Sequence, residues 1–192
     1  HSMGSFILRD YLSYFSSDID AAIISGTGSS DPITVMGGKF LLKQERKKLG
    51  YHTPSVKLTD LVFGPLNKKA RKMGIDSFVS RDQAVIDKYN ADPACGFDIT
   101  VDYAKAMIDG LGRIIKSSAY DIAPIPIMLV SGEKDPVGGT NSKYVKQVAS
   151  KYARNGNKVE MYIYDDALHE MINEINKEEV YADILNWVGD HV

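Results

Sequence analysis

Three short apolar runs constrain the fold most, because each is too short for a buried helix and each ends at a turn. They are Asp20-Ala21-Ala22-Ile23-Ile24-Ser25-Gly26, Ile125-Pro126-Ile127-Met128-Leu129-Val130-Ser131-Gly132 and Lys158-Val159-Glu160-Met161-Tyr162-Ile163-Tyr164. Runs of this length predict strands, the first two buried on both faces. Amphipathic segments of helical length surround them. Gly4 to Tyr14 leads, with Phe15 just beyond it, to an apolar stripe of Ile7, Leu8, Tyr11, Leu12 and Phe15 at helical spacing. Asn141 to Asn155 sets Tyr144, Val145, Val148 and Tyr152 on one face, with Gly156 where a helix C-cap is wanted. Glu178 to His191 predicts a closing helix with Val180, Tyr181, Ile184, Leu185 and Val188 turned inward. Strands alternating with helices predict an α/β fold with a parallel sheet and crossover helices.

Between Asp31 and Tyr120 no strand pattern appears. The segment holds three or four helical stretches broken at Gly50, Pro54, Gly64-Pro65, Gly74 and Pro93. Two are well marked, Val56 to Lys72 and Val101 to Lys116. The expected organisation is therefore residues 1–30 as the start of an α/β core, 31–120 as a helical lid, and 121–192 as the rest of the core. The lid is lopsided in charge, with 12 Lys or Arg against 5 acids from Lys39 to Lys88. A solvated helix face is the ordinary reading of such a stretch, and contact with an anionic lipid surface is the functional one.

Composition narrows the class of function. At 192 residues with a net charge of -2, the chain has no global bias toward nucleic acid. No apolar run approaches the ~20 residues of a membrane-spanning helix. The single cysteine, Cys95, excludes an internal disulfide framework, suits a reducing, cytoplasmic setting, and is expected to be a small buried apolar side chain. The opening His1-Ser2-Met3-Gly4-Ser5 has no initiator methionine and runs straight into an amphipathic pattern. It reads as a start in the middle of a fold, or as a cloning remnant.

Three residues stand next to strand ends, where open parallel sheets place their sites. Ser2 precedes the first helix. Asp135 follows the second strand in Ser131-Gly132-Glu133-Lys134-Asp135-Pro136-Val137-Gly138, and His169 follows the third in Asp165-Asp166-Ala167-Leu168-His169-Glu170. A serine hydroxyl is a poor nucleophile until an imidazole takes its proton, and a carboxylate must hold that imidazole in the right tautomer. Each residue also has a plain reading. Ser2 can be a helix N-cap, Asp135 a turn residue before Pro136, and His169 a surface histidine. Glu133 is the rival acid. His52 lies in the lid, His191 at the chain end and His1 beside the serine, which leaves His169 as the well-placed base.

The order serine, acid, histidine is that of the α/β-hydrolases. His1-Ser2-Met3-Gly4-Ser5-Phe6 resembles the nucleophile elbow of the group that includes monoacylglycerol lipases and bacterial lysophospholipases, often labelled serine aminopeptidase-like. Ser25-Gly26-Thr27-Gly28, Ser80-Arg81-Asp82, Asp92-Pro93-Ala94-Cys95-Gly96-Phe97, Ser131 to Gly138 and His169-Glu170-Met171-Ile172-Asn173-Glu174 are similar to segments of that group, in its order. The resemblance covers essentially the whole chain. A full member carries roughly half of its sheet before the elbow, including a His-Gly loop that completes the oxyanion hole.

The resemblance implies hydrolysis of a fatty acyl ester, such as a monoacylglycerol or lysophospholipid. Ser2 would be the nucleophile, His169 the base, Asp135 the orienting acid, and the Met3 backbone N–H an oxyanion donor. No cofactor and no metal are implied. Gly4 is expected to be needed against a neighbouring strand, and Arg81-Asp82 to form a charge pair at a helix start. An aminopeptidase of the same fold, or an inactive fragment, stays open. An exposed sheet edge further predicts either a missing amino-terminal segment as partner or self-association.

Overall fold

A computed structural model describes residues 1–192. The first helix, α1 (Met3–Phe15), runs into strand β1 (Ala22–Ser25). Four helices follow before the chain returns to the sheet: α2 (Pro32–Leu49), α3 (Val56–Lys72), α4 (Gln83–Ala91) and α5 (Val101–Ile114). Then come β2 (Ile127–Gly132), α6 (Lys143–Arg154), β3 (Val159–Tyr164) and α7 (Lys177–His191). The starts of α2 to α5 have a common cause. Asp31, Ser55, Asp82 and Thr100 are their N-caps, each accepting a backbone N–H of the first turn on its side-chain oxygen. No helix is long and apolar enough to cross a membrane.

The sheet is parallel throughout, in the order β1-β2-β3, with Ile24 opposite Leu129 and Leu129 opposite Met161. Strand β2 is central and buried at all six positions. Its alternating side chains feed two cores. Ile127 and Leu129 join Ile24, Leu12 of α1 and Val145, Val148 and Tyr152 of α6. Met128 and Val130 turn the other way, onto Met171 and onto Val180 and Trp187 of α7. A third cluster, Leu42, Leu58, Ile99, Val101 and Ala104, holds the helical segment together.

Two helix faces differ from the sequence reading. In α1 the buried residues are Ser5, Arg9 and Leu12, while Ile7, Tyr11 and Phe15 are exposed. The polar Arg9 turns inward because both terminal nitrogens of its guanidinium are engaged there, while its buried Nε has no partner. It donates to Thr27 Oγ1 at 3.1 Å, to the Gly28 carbonyl at 2.7 Å and to Tyr120 Oη at 2.8 Å. In α7, Tyr181 and Leu185 face solvent and Trp187 is buried instead. The Trp187 ring is large enough to fill the space beside Met128 and Val130, which rotates the helix away from the simple apolar stripe. Gly4 needs no close approach either, since a Cβ there meets nothing within 4 Å. It lies on the same exposed face of α1 as Ile7. Cys95 is only half-buried, in the short loop between α4 and α5.

Candidate active site

The carboxyl ends of the three parallel strands lie side by side, and the loops leaving them carry the polar residues of the site. Ser2 joins this edge from the side. Its N–H donates to the Ser25 carbonyl at the end of β1, at 3.0 Å. Its backbone is held at φ 51 and ψ -123, a conformation that L-residues rarely adopt. Such strain on a nucleophile turn projects the side chain clear of the chain that carries it. Met3 is the first residue of α1, so its N–H has no acceptor within the helix and points out of the helix start beside Ser2.

Ser2, His169 and Asp135 come together in one line. His169 Nε2 is 2.9 Å from Ser2 Oγ, and His169 Nδ1 is 3.0 Å from Asp135 Oδ2. Asp135 is 1% exposed, and its second oxygen accepts the Val137 N–H at 2.8 Å. With both its oxygens acting as acceptors, the carboxylate accepts a hydrogen bond from Nδ1–H, which keeps the proton on that nitrogen. Nε2 is then left as an acceptor facing the serine hydroxyl. The imidazole is buried between two rings, Phe78 with its centroid at 5.2 Å and His1 at 4.6 Å.

The close approach of the His169 loop to β2 depends on Gly132. A Cβ at that position would stand 2.2 Å from the carbonyl oxygens of both Ala167 and Leu168. Glu133, the rival acid, is turned away from the histidine. Its carboxylate accepts the Asp166 N–H at 3.3 Å and pairs with Lys134 at 3.2 Å. The Asp166 N–H, with the Lys134 ammonium, holds the Glu133 carboxyl below the usual range.

Some residues near the site escape sequence reasoning. Phe78 reaches the imidazole from the helical segment, and the buried Arg9 braces the loop that leaves β1. Arg9 sits inside an amphipathic pattern, so only its interruption of the apolar spacing marks it. Arg81 does not pair with Asp82. Asp82 caps α4, while Arg81 Nε lies 2.9 Å from Glu174, a fully buried carboxylate. The pair connects residues far apart in sequence, which no local pattern displays.

Comparison with known proteins places these features among the hydrolases. Residues 1–176 match a family described as serine aminopeptidase, S33. The chain is 28% identical over 196 residues to a monoacylglycerol lipase of Mycolicibacterium smegmatis, covering all of this chain and 61% of that protein. Among solved structures, a thermostable carboxyl esterase from Bacillus coagulans superposes with a TM-score of 0.85 at 20% identity, over 100% of this chain and 63% of its own. The monoacylglycerol lipase of Paleococcus ferrophilus superposes at 0.68 with 16% identity, over 100% and 67%. These likenesses establish an α/β-hydrolase fold. The chain spans about three fifths of the length of that Mycolicibacterium smegmatis lipase.

Proposed function

The chain belongs to the serine aminopeptidase (S33) family of hydrolases, and from that premise we propose that it serves an enzyme cleaving carboxylic esters through an acyl-enzyme on Ser2. His169 takes the hydroxyl proton as Ser2 attacks the ester carbonyl, and Asp135 steadies the imidazolium. The C–O bond breaks, and the alcohol leaves with the proton from His169. Water then attacks the acyl-serine with His169 as base, the acyl–Oγ bond breaks to release the carboxylic acid, and His169 returns its proton to Ser2 Oγ. The Met3 N–H serves as an oxyanion donor. The observation that carries this reading is the unbroken line from Ser2 Oγ through both ring nitrogens of His169 to the buried Asp135.

The substrate class we propose is a fatty acyl ester, a monoacylglycerol or lysophospholipid. The likeness to a monoacylglycerol lipase supports it. So does the outer face of α2, where Ile33, Met36 and Phe40 are exposed beside Lys39 and Lys43. An apolar stripe flanked by cations suits transient contact with an anionic lipid surface. Co-sedimentation with anionic but not neutral vesicles is the expected result, and equal binding to both removes this part of the proposal. The single cysteine supports a reducing, cytoplasmic setting.

The test of the reaction is a fluorophosphonate label on the intact protein, read by mass spectrometry, with the adduct expected on Ser2. Turnover of p-nitrophenyl esters and monoacylglycerols is expected to exceed that of amino-acid anilides by a wide margin. Faster cleavage of an anilide would move the protein to the peptidase reading.

A further inference from the structure

The His169 loop is gripped by four residues of the helical segment, Phe78 to Arg81. The His169 N–H donates to the Phe78 carbonyl at 3.2 Å, and the Glu170 N–H to the Val79 carbonyl at 2.8 Å. Ser80 Oγ donates to the Asn173 carbonyl at 3.0 Å. At the end of this seam lies Glu174, with no exposed surface. Its Oε1 accepts the Leu168 N–H at 2.8 Å and the Arg81 N–H at 3.2 Å. Its Oε2 accepts the Ile175 N–H at 3.1 Å and Arg81 Nε at 2.9 Å. Arg81 Nη2 reaches on to Asn176 Oδ1 at 3.0 Å. One carboxylate thus ties the residue before His169, the turn after it and the helical segment into a single knot.

We propose that Glu174 and Arg81 are positioning residues for His169, holding its loop against Phe78–Arg81 so that the imidazole keeps its alignment on Ser2 and Asp135. The inference rests on the triad reading above. Its physical basis is the strength of charge-assisted bonds in a buried setting, together with their direction. Three backbone N–H groups converge on Glu174, and an amide there would oppose some of them with its own donors. Glu174 touches neither Ser2 nor Asp135, so its effect must pass through the loop. A displacement of about 1 Å at the reacting groups is worth about 10²-fold in rate.

The experiment compares the intact protein with Glu174→Gln, Arg81→Lys and the double variant, each verified as folded by circular dichroism at the assay temperature. One readout is the rate of fluorophosphonate labelling and ester turnover. Glu174→Gln is expected to lose about 10²-fold in kcat with KM unchanged within about twofold. Arg81→Lys keeps the charge but loses the planar fork, so it should fall between parent and Glu174→Gln. The double variant should be no worse than Glu174→Gln alone, because the two act as a unit. The second readout is the proton NMR signal of His169 Nδ1–H bound to Asp135, which should shift or broaden in Glu174→Gln although both triad partners are intact. If a folded Glu174→Gln or Arg81→Lys keeps the parent's labelling rate and Nδ1–H signal, the proposal is overturned. If Glu174→Gln does not fold, Arg81→Lys decides by the same two readouts. A parent that takes no label on Ser2 refutes the hydrolase reading instead, and the NMR comparison then judges the positioning role on its own.

Discussion

Asp135 and Glu133 stand two residues apart on one turn with the same functional group, yet only Asp135 faces His169. The turn decides between them. Asp135 N–H bonds back to the Gly132 carbonyl, and its carboxylate caps the Val137 N–H, which leaves one oxygen for Nδ1. Glu133 is committed to Asp166 and Lys134. Ser2→Ala, His169→Ala and Asp135→Ala are therefore each expected to lose esterase activity by about 10⁴ to 10⁶, without adding in combination. Glu133→Ala should leave kcat within about threefold of the parent. Loss in Glu133→Ala with retention in Asp135→Ala would reassign the acid. The grouping of these residues was legible because strand ends mark sites, and the order of serine, acid and histidine is itself informative. The Arg81–Glu174 pair was not, since its members are brought together only by packing of the helical segment on the His169 loop.

Strands were easier to read than helix faces. The three apolar runs contain β1, β2 and β3 with offsets of a residue or two at their ends. In β2, buried at all six positions, full burial leaves a continuous signal that does not depend on phase. Strand β1, expected to be buried on both faces, instead alternates buried and half-buried residues, and β3 is mostly half-buried. A helix must also choose a direction, and in α1 the strongest apolar stripe points outward. Arg9 reverses the expectation by replacing an apolar contact with three hydrogen bonds to the loop after β1 and to Tyr120. Tyr120 stands in turn against Tyr152, whose hydroxyl burial pushes up to about 12. The two faces of α1 should separate cleanly in stability measurements on the 192-residue chain. Leu12→Ala, which empties a fully buried site, is expected to cost about 2–5 kcal/mol. Ile7→Ala, at a side chain 60% exposed, should change stability by less than about 0.5 kcal/mol at protein concentrations low enough to keep the chain monomeric. Urea unfolding midpoints with unchanged slopes decide the matter, and equal costs at both positions would mean that the outward face of α1 is covered in solution.

At the scale of the whole molecule, both margins of the three-stranded sheet are open, since β1 and β3 each pair only with β2. Strand β1 pairs with β2 on one side only, and its other edge presents backbone groups without a strand partner. Beside that edge, α1 presents Ile7, Tyr11, Tyr14 and Phe15 to solvent. An unpaired edge next to an apolar helix face is a template for association, since pairing satisfies the backbone while burial removes apolar area from water. Strand β1 carries none of the usual defences, having no charged or proline residue along its four positions, Ala22 to Ser25. The 192-residue chain by itself is therefore expected to self-associate, with an apparent mass in sedimentation equilibrium that rises with concentration. Ile7→Lys combined with Tyr11→Glu should shift that equilibrium toward the monomer at unchanged helix content, because both positions lie outside the core that holds α1. A polypeptide that supplies a strand beside β1 and covers α1 should have the same effect on the unmodified chain. A mass that stays at 21.2 kDa across the accessible concentration range would contradict the prediction. The helical segment between α2 and α5 would then have to supply the cover, through the contact it already makes where Arg113 of α5 pairs with Asp10 of α1.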